Sequence, residues 1–152
     1  MKQTKFTRIL ALLLALLFVS LAFVGCQREE KSENGFCTVI VEGDPAIEYR
    51  VNLDKVTGEE GLLSILEYLK AEEGLTYSAD AGFLTEIGAV KQDVTAGKYV
   101  YIWTSVEKDF DVSAYASTKE YGDTMLTSSG VGAKDMTVTD GAVIYIGLYS
   151  WS

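Results

Sequence analysis

The chain has 152 residues, with 13 basic and 22 acidic side chains, a net charge of −9 and no histidine. The missing histidine removes the commonest general base and metal ligand and every Ser-His or Cys-His pair, and two cysteines are too few for a zinc cluster or a disulfide framework. The carboxylates are scattered, with no flanking pattern that pairs two of them for acid/base work, so the sequence points to a protein that is not an enzyme and has no metal site and no cofactor.

At the N-terminus, Lys2, Lys5 and Arg8 precede a 16-residue apolar run, Ile9 to Val24, followed by Gly25, Cys26 and the polar stretch Q-R-E-E-K-S-E-N-G. A helix of that length spans roughly 24 Å, short of the roughly 30 Å hydrocarbon core. A cleaved export signal over 1–25 is therefore expected rather than a membrane span. The run F-V-G-C at 23–26 resembles the lipobox of bacterial lipoproteins: a small residue before a cysteine that ends the apolar run. The resemblance implies that Cys26 is lipidated, becomes the first residue after cleavage, and anchors the chain to the cell membrane on its extracytoplasmic side. Acyl chains contribute about 0.8 kcal/mol per buried methylene, enough for two or three to hold a soluble domain.

After removal of the signal, 127 residues remain, with 10 basic and 22 acidic side chains and a net charge of −12. That length suffices for one domain with its own core. The charge repels phosphates, which argues against nucleic acid as a partner. Residues 26–35 read as a flexible tether and 36–152 as the domain.

F-C-T-V-I-V-E (36–42) is β-branched and apolar, a predicted strand. Cys37 within it reads as a small buried side chain. After the G-D-P turn, residues 46–53 alternate: Ile47, Tyr49, Val51 and Leu53 share one face, which predicts a hairpin with the first strand. Thr57-Gly58-Glu59-Glu60 has the form of a capping box, and Leu62, Leu63, Ile65, Leu66 and Leu69 follow at helical spacing. Gly74 is a natural stop, so a helix is expected over about 59–73, lying on a sheet. Residues 75–80 and 82–90 read as short strands or a hairpin, 99–106 as a strong strand, and 109–124 as a loop or arm with short strand pieces. S-S-G-V-G (128–132) is a turn-rich loop without the lysine of a phosphate loop. Met136 to Val138 reads as a short strand, Asp140-Gly141 as a turn, and 142–151 as the closing strand. The order predicts an α+β fold, a β-grasp-like mixed sheet crossed by one helix.

The closing run M-T-V-T-D-G-A-V-I-Y-I-G-L-Y, the preceding S-S-G-V-G-A, the strand K-Y-V-Y-I-W-T-S-V and the helix V-T-G-E-E-G-L-L-S-I-L-E-Y-L resemble the transcobalamin-like C-terminal domain, domain of unknown function 4430. The resemblance covers about 38–149. It implies a β-grasp-like fold in secreted and anchored proteins, and a corrinoid-like or other small ligand.

Alternation gives an independent indication. Tyr99, Tyr101 and Trp103 share one face of their strand, and Val143, Tyr145, Tyr149 and Trp151 share one face of the last strand. Val100, Ile102, Ile144, Ile146 and Leu148 face the other way, where the leucine helix should pack. Tyr101, Trp103, Tyr145, Tyr149 and Trp151 are thus candidate ligand-binding residues, with Gly147 leaving a gap among them for a flat ligand. Two readings stay open. The rings form a binding surface for a small molecule or a surface protein, or an ordinary cross-strand ladder covered by the segment 107–127.

Overall fold

Strand β1 (Phe36–Val41) and β2 (Ile47–Asn52) form an antiparallel hairpin in a computed structural model that describes residues 30–150. The signal over 1–25, Cys26 and Trp151 lie outside the described residues. The β1–β2 register pairs Cys37 with Val51 and Val39 with Tyr49, which keeps the apolar alternates on one face. Helix α1 (Gly61–Glu73) crosses that face. Leu62, Ile65, Leu66 and Leu69 are buried against Cys37, Val39, Val41, Val51, Ile102, Ile144 and Ile146. Gly74 ends the helix in the left-handed conformation (φ 71°), with its N–H bonded to the Leu69 carbonyl.

The remaining strands are β3 (Tyr77–Asp80), β4 (Phe83–Ile87), β5 (Val90–Lys91), β6 (Lys98–Thr104), β7 (Thr118–Tyr121), β8 (Thr124–Ser128) and β9 (Val143–Ser150). The main sheet has the order β2-β1-β9-β6-β8-β7, and β3-β4-β5 form a small separate sheet. The last strand returns to the centre. It runs parallel to β1, with Val39 beside Ile144, and antiparallel to β6. A leading hairpin, a crossing helix and a final strand parallel to the first make the expected β-grasp-like α+β arrangement.

Four local expectations are corrected. The capping box does not form: Glu60 is the N-cap residue without a side-chain cap bond. Its N–H donates instead to Ser64 Oγ at 3.0 Å, and its carboxylate pairs with Lys134 at 3.1 Å. The Leu62 N–H is satisfied by the Ala133 carbonyl at 2.9 Å, so tertiary contacts supply the cap. The run 82–90 divides at Gly88, where a turn folds β5 back on β4.

Met136 to Val138 is not a strand. The buried Asp109 carboxylate takes both the Thr137 N–H (2.6 Å) and the Thr137 hydroxyl (3.1 Å), which bends this segment away from any ladder. Finally, the expected tether is partly docked. Asp54 accepts the N–H groups of Glu33 (2.7 Å) and Asn34 (2.9 Å), and those bonds, the Glu33 one foremost, lower its carboxyl below the ordinary range. The compact unit begins at Ser32.

Candidate binding surface

Strands β6 and β9 lie side by side, so four of the five proposed rings share one face. The register sets Trp103 opposite Tyr145, Tyr101 opposite Gly147 and Tyr99 opposite Tyr149. Tyr101 meets Trp103 edge-on, with centroids 5.2 Å apart, and stacks on Tyr149 at 4.9 Å and 25°. Trp103 touches Tyr145 at 6.1 Å and Tyr149 at 6.2 Å, both edge-on. These are the offset and T-shaped geometries that ring quadrupoles favour.

The ladder is not uniformly open. Trp103 is 3% exposed and Tyr145 7%, packed with Ile40 and Leu126 in a second, smaller core on the side of the sheet away from the helix. The expectation that these two rings lie open to a ligand is corrected. The cover is the β7–β8 hairpin. Ser117, just before it, accepts the Trp103 Nε1–H at 2.9 Å. Lys119 of β7 places its ammonium 4.1 Å from the Tyr145 centroid and 5.0 Å from that of Trp103, a cation over two ring faces. Tyr121 of β7 lies 5.9 Å from Tyr145. Burial foremost, then the carboxylate of Glu42, raises the Tyr145 hydroxyl pKa above its ordinary value.

Gly147 does not leave an empty slot either. Glu42, following β1, fills it: a side chain at 147 would run into its carboxylate, which accepts the Leu148 N–H at 2.7 Å. Because β1 ends before β9 does, that backbone donor has no strand partner, and the carboxylate takes the strand's place.

Tyr101 and Tyr149 differ from the covered pair. Both are half-buried, at the end of the sheet where β8 no longer runs beside β6. Burial is the main cause of a raised Tyr101 hydroxyl pKa, opposed by a hydrogen bond with Ser128 and supported by the nearby Asp111 carboxylate. Sequence reasoning found the rings but missed Lys119, Ser117 and Glu42. The alternation Lys119, Tyr121 in T-K-E-Y was a legible sign of an inward-facing pair. Nothing local marks Glu42. Among the described residues no cluster of His, Cys, Asp and Glu is arranged to hold a metal ion.

No family model matches the chain, and no curated protein matches it. Among solved structures, one from Ruminococcus gnavus, named a "putative metal binding protein", is 16% identical with a TM-score of 0.48, covering 78% of this chain and 99% of that one.

Proposed function

We propose that the chain is a lipid-anchored, extracytoplasmic binding protein without catalytic activity, whose ligand contacts the Tyr101–Tyr149 end of the aromatic ladder. The observation that carries this reading is the gradient of exposure along one face. Trp103 and Tyr145 are held under a hairpin, while Tyr101 and Tyr149 stack in parallel and remain half open. Such rings offer flat apolar area with polar tips, which suits a flat ligand. The F-V-G-C run supports the anchor. The likeness of the β6, β9 and helix sequences to transcobalamin-like domains favours a corrinoid-like ligand, bound over Tyr101 and Tyr149 rather than over all five rings.

The test is a thermal-shift and calorimetric titration of soluble chain 27–152, which contains the whole compact unit from Ser32, with cobinamide and cobalamin. Saturable binding that Tyr149→Ala weakens, with the fold retained, supports the reading. Binding unaffected by Tyr149→Ala and by Tyr101→Ala excludes this surface.

A further inference from the structure

Glu42 gives the open end of the aromatic ladder a counter-charge for a cation. Its side chain lies on the ladder's face, because its carboxylate occupies the position that a Gly147 side chain would take. Gly147 stands between Tyr145 and Tyr149 along β9 and opposite Tyr101 of β6. Residues two apart on a strand lie about 7 Å from each other, and cross-strand partners about 5 Å. The Glu42 carboxylate is therefore set beside three tyrosine positions. Its Oε2 accepts the Leu148 N–H at 2.7 Å. Its Oε1 has no hydrogen bond or ion pair among the described residues, and Glu42 is only half-buried.

The covered half of the same ladder shows which charge these rings accept. Lys119 holds its ammonium 4.1 Å from the Tyr145 centroid and 5.0 Å from that of Trp103. Ring faces carry the negative part of the quadrupole, so a cation is drawn to them. In that half the chain supplies its own cation. Toward the open half it supplies carboxylates: Glu42, and Asp111, whose charge bears on the Tyr101 hydroxyl. The chain after the signal carries −12, which draws cations toward the molecule and turns anions away.

We propose that the Tyr101–Tyr149 end takes a methylated ammonium group, with Glu42 as its counter-ion. This rests on the reading that a ligand lies over these two rings, and it names the charged group which that ligand carries. A primary ammonium brings three N–H donors, and Glu42 offers one open oxygen. A trimethylammonium has no donor to satisfy, holds its water weakly and presents methyl groups to the rings. Glu42 then selects for charge, and the tyrosines select for shape.

The probe is choline, set against its neutral carbon isostere, in which a tert-butyl group replaces the trimethylammonium. Each is titrated into soluble chain 27–152 while its methyl signal is followed by NMR. The expected result is a saturable upfield shift of the choline signal, because ring faces shield protons above them. The affinity for choline should exceed that for the isostere at least about tenfold. Glu42→Gln keeps an acceptor for the Leu148 N–H and removes the charge. It should weaken choline about tenfold and leave the isostere unchanged. Tyr149→Ala keeps the net charge of −12, so loss of choline binding in that variant separates a site from general attraction to an acidic surface. Equal affinity for the two probes overturns the proposal, as does choline binding that both variants leave intact. If cobinamide binds in a Tyr149-dependent way and choline does not bind, the cation site fails while the surface reading stands. If the binding of neither depends on Tyr149 or Tyr101, both fail.

Discussion

The Tyr121 hydroxyl donates to the Glu48 carboxylate at 2.9 Å, joining β7 and β2, which are the two outermost strands of the six-stranded sheet. Such strands meet only if the sheet curls, and it curls around the Trp103–Tyr145 face. The bond to Glu48 is also the leading cause of a raised Tyr121 hydroxyl pKa. This contact latches the β7–β8 cover. Tyr121→Phe keeps the ring on Tyr145 and removes the latch. Faster amide exchange confined to β7 and β8 is expected, with the denaturant midpoint nearly unchanged because the bond is at the surface. Unchanged exchange in β7 would show that Lys119 and Leu126 hold the hairpin by themselves.

Trp103 and Tyr149 lie on the same ladder but should respond differently to truncation. Trp103→Ala empties a buried site and removes the donor to Ser117, so a loss of about 3–5 kcal/mol is expected. Tyr149→Ala removes a half-open ring and should cost clearly less. Trp103→Phe separates the two parts of the first effect: the Ser117 hydrogen bond should account for about 1 kcal/mol. Denaturant melts of the three variants give the order. A Trp103→Ala loss no larger than that of Tyr149→Ala would mean the hairpin does not pack as described.

The contrast shows which parts of the site the sequence made legible. Period-two alternation placed Ile102, Ile144 and Ile146 toward the helix and Trp103, Tyr145 and Tyr149 away from it, and the structure agrees. Alternation reports only which side a residue faces, not what covers that side. The cover comes from Ser117 to Leu126, whose polar, mixed pattern reads as an arm, and its closure depends on contacts such as Tyr121 with Glu48, separated by 73 positions. The same limit applies at Gly147, where a distant carboxylate decides whether a gap exists, and at Met136–Val138, where Asp109 overrides the strand propensity of M-T-V. Gly74 succeeded because the C-cap signal is local, whereas the Thr57 capping box lost to bonds from Ser64 and the Ala133 loop.

Leu66 tests the helix–sheet contact directly. It is fully buried in the main core. Leu66→Ala should cost about 2–5 kcal/mol, depending on how far the cavity collapses. A loss below about 0.5 kcal/mol would mean that α1 does not lie on the sheet in solution.

The anchor is tested in cells rather than in solution. Cys26→Ser removes the only atom that the lipobox reading allows to be acylated. The variant should lose lipid labelling and be found in the soluble fraction or retained as precursor. Labelled fatty acid still incorporated by Cys26→Ser would exclude Cys26 as the anchor.

Cys37 offers a test whose sign follows from burial. Its side chain is 1% exposed on the helix-facing side of β1. Burial raises the thiol from 9.0 to about 11. Below about pH 9 the thiol is protonated in folded and unfolded chains alike and stability does not depend on it. Between the two values the unfolded chain releases the proton first. The folded state then binds more protons, and stability falls as pH rises. The loss is complete above the folded value and is on the order of 2–3 kcal/mol for a shift of this size. Tyrosines titrate in the same range, and Tyr77 is itself raised to about 12, so the measured quantity is the difference in pH dependence between the parent chain and Cys37→Ala. That difference should appear between about pH 9 and 11. The same burial predicts that a thiol reagent labels soluble chain 27–152, in which Cys37 is the sole cysteine, only after denaturant is added. Rapid labelling of the native chain at pH 8 would place Cys37 at the surface and contradict the packing of β1 on the helix.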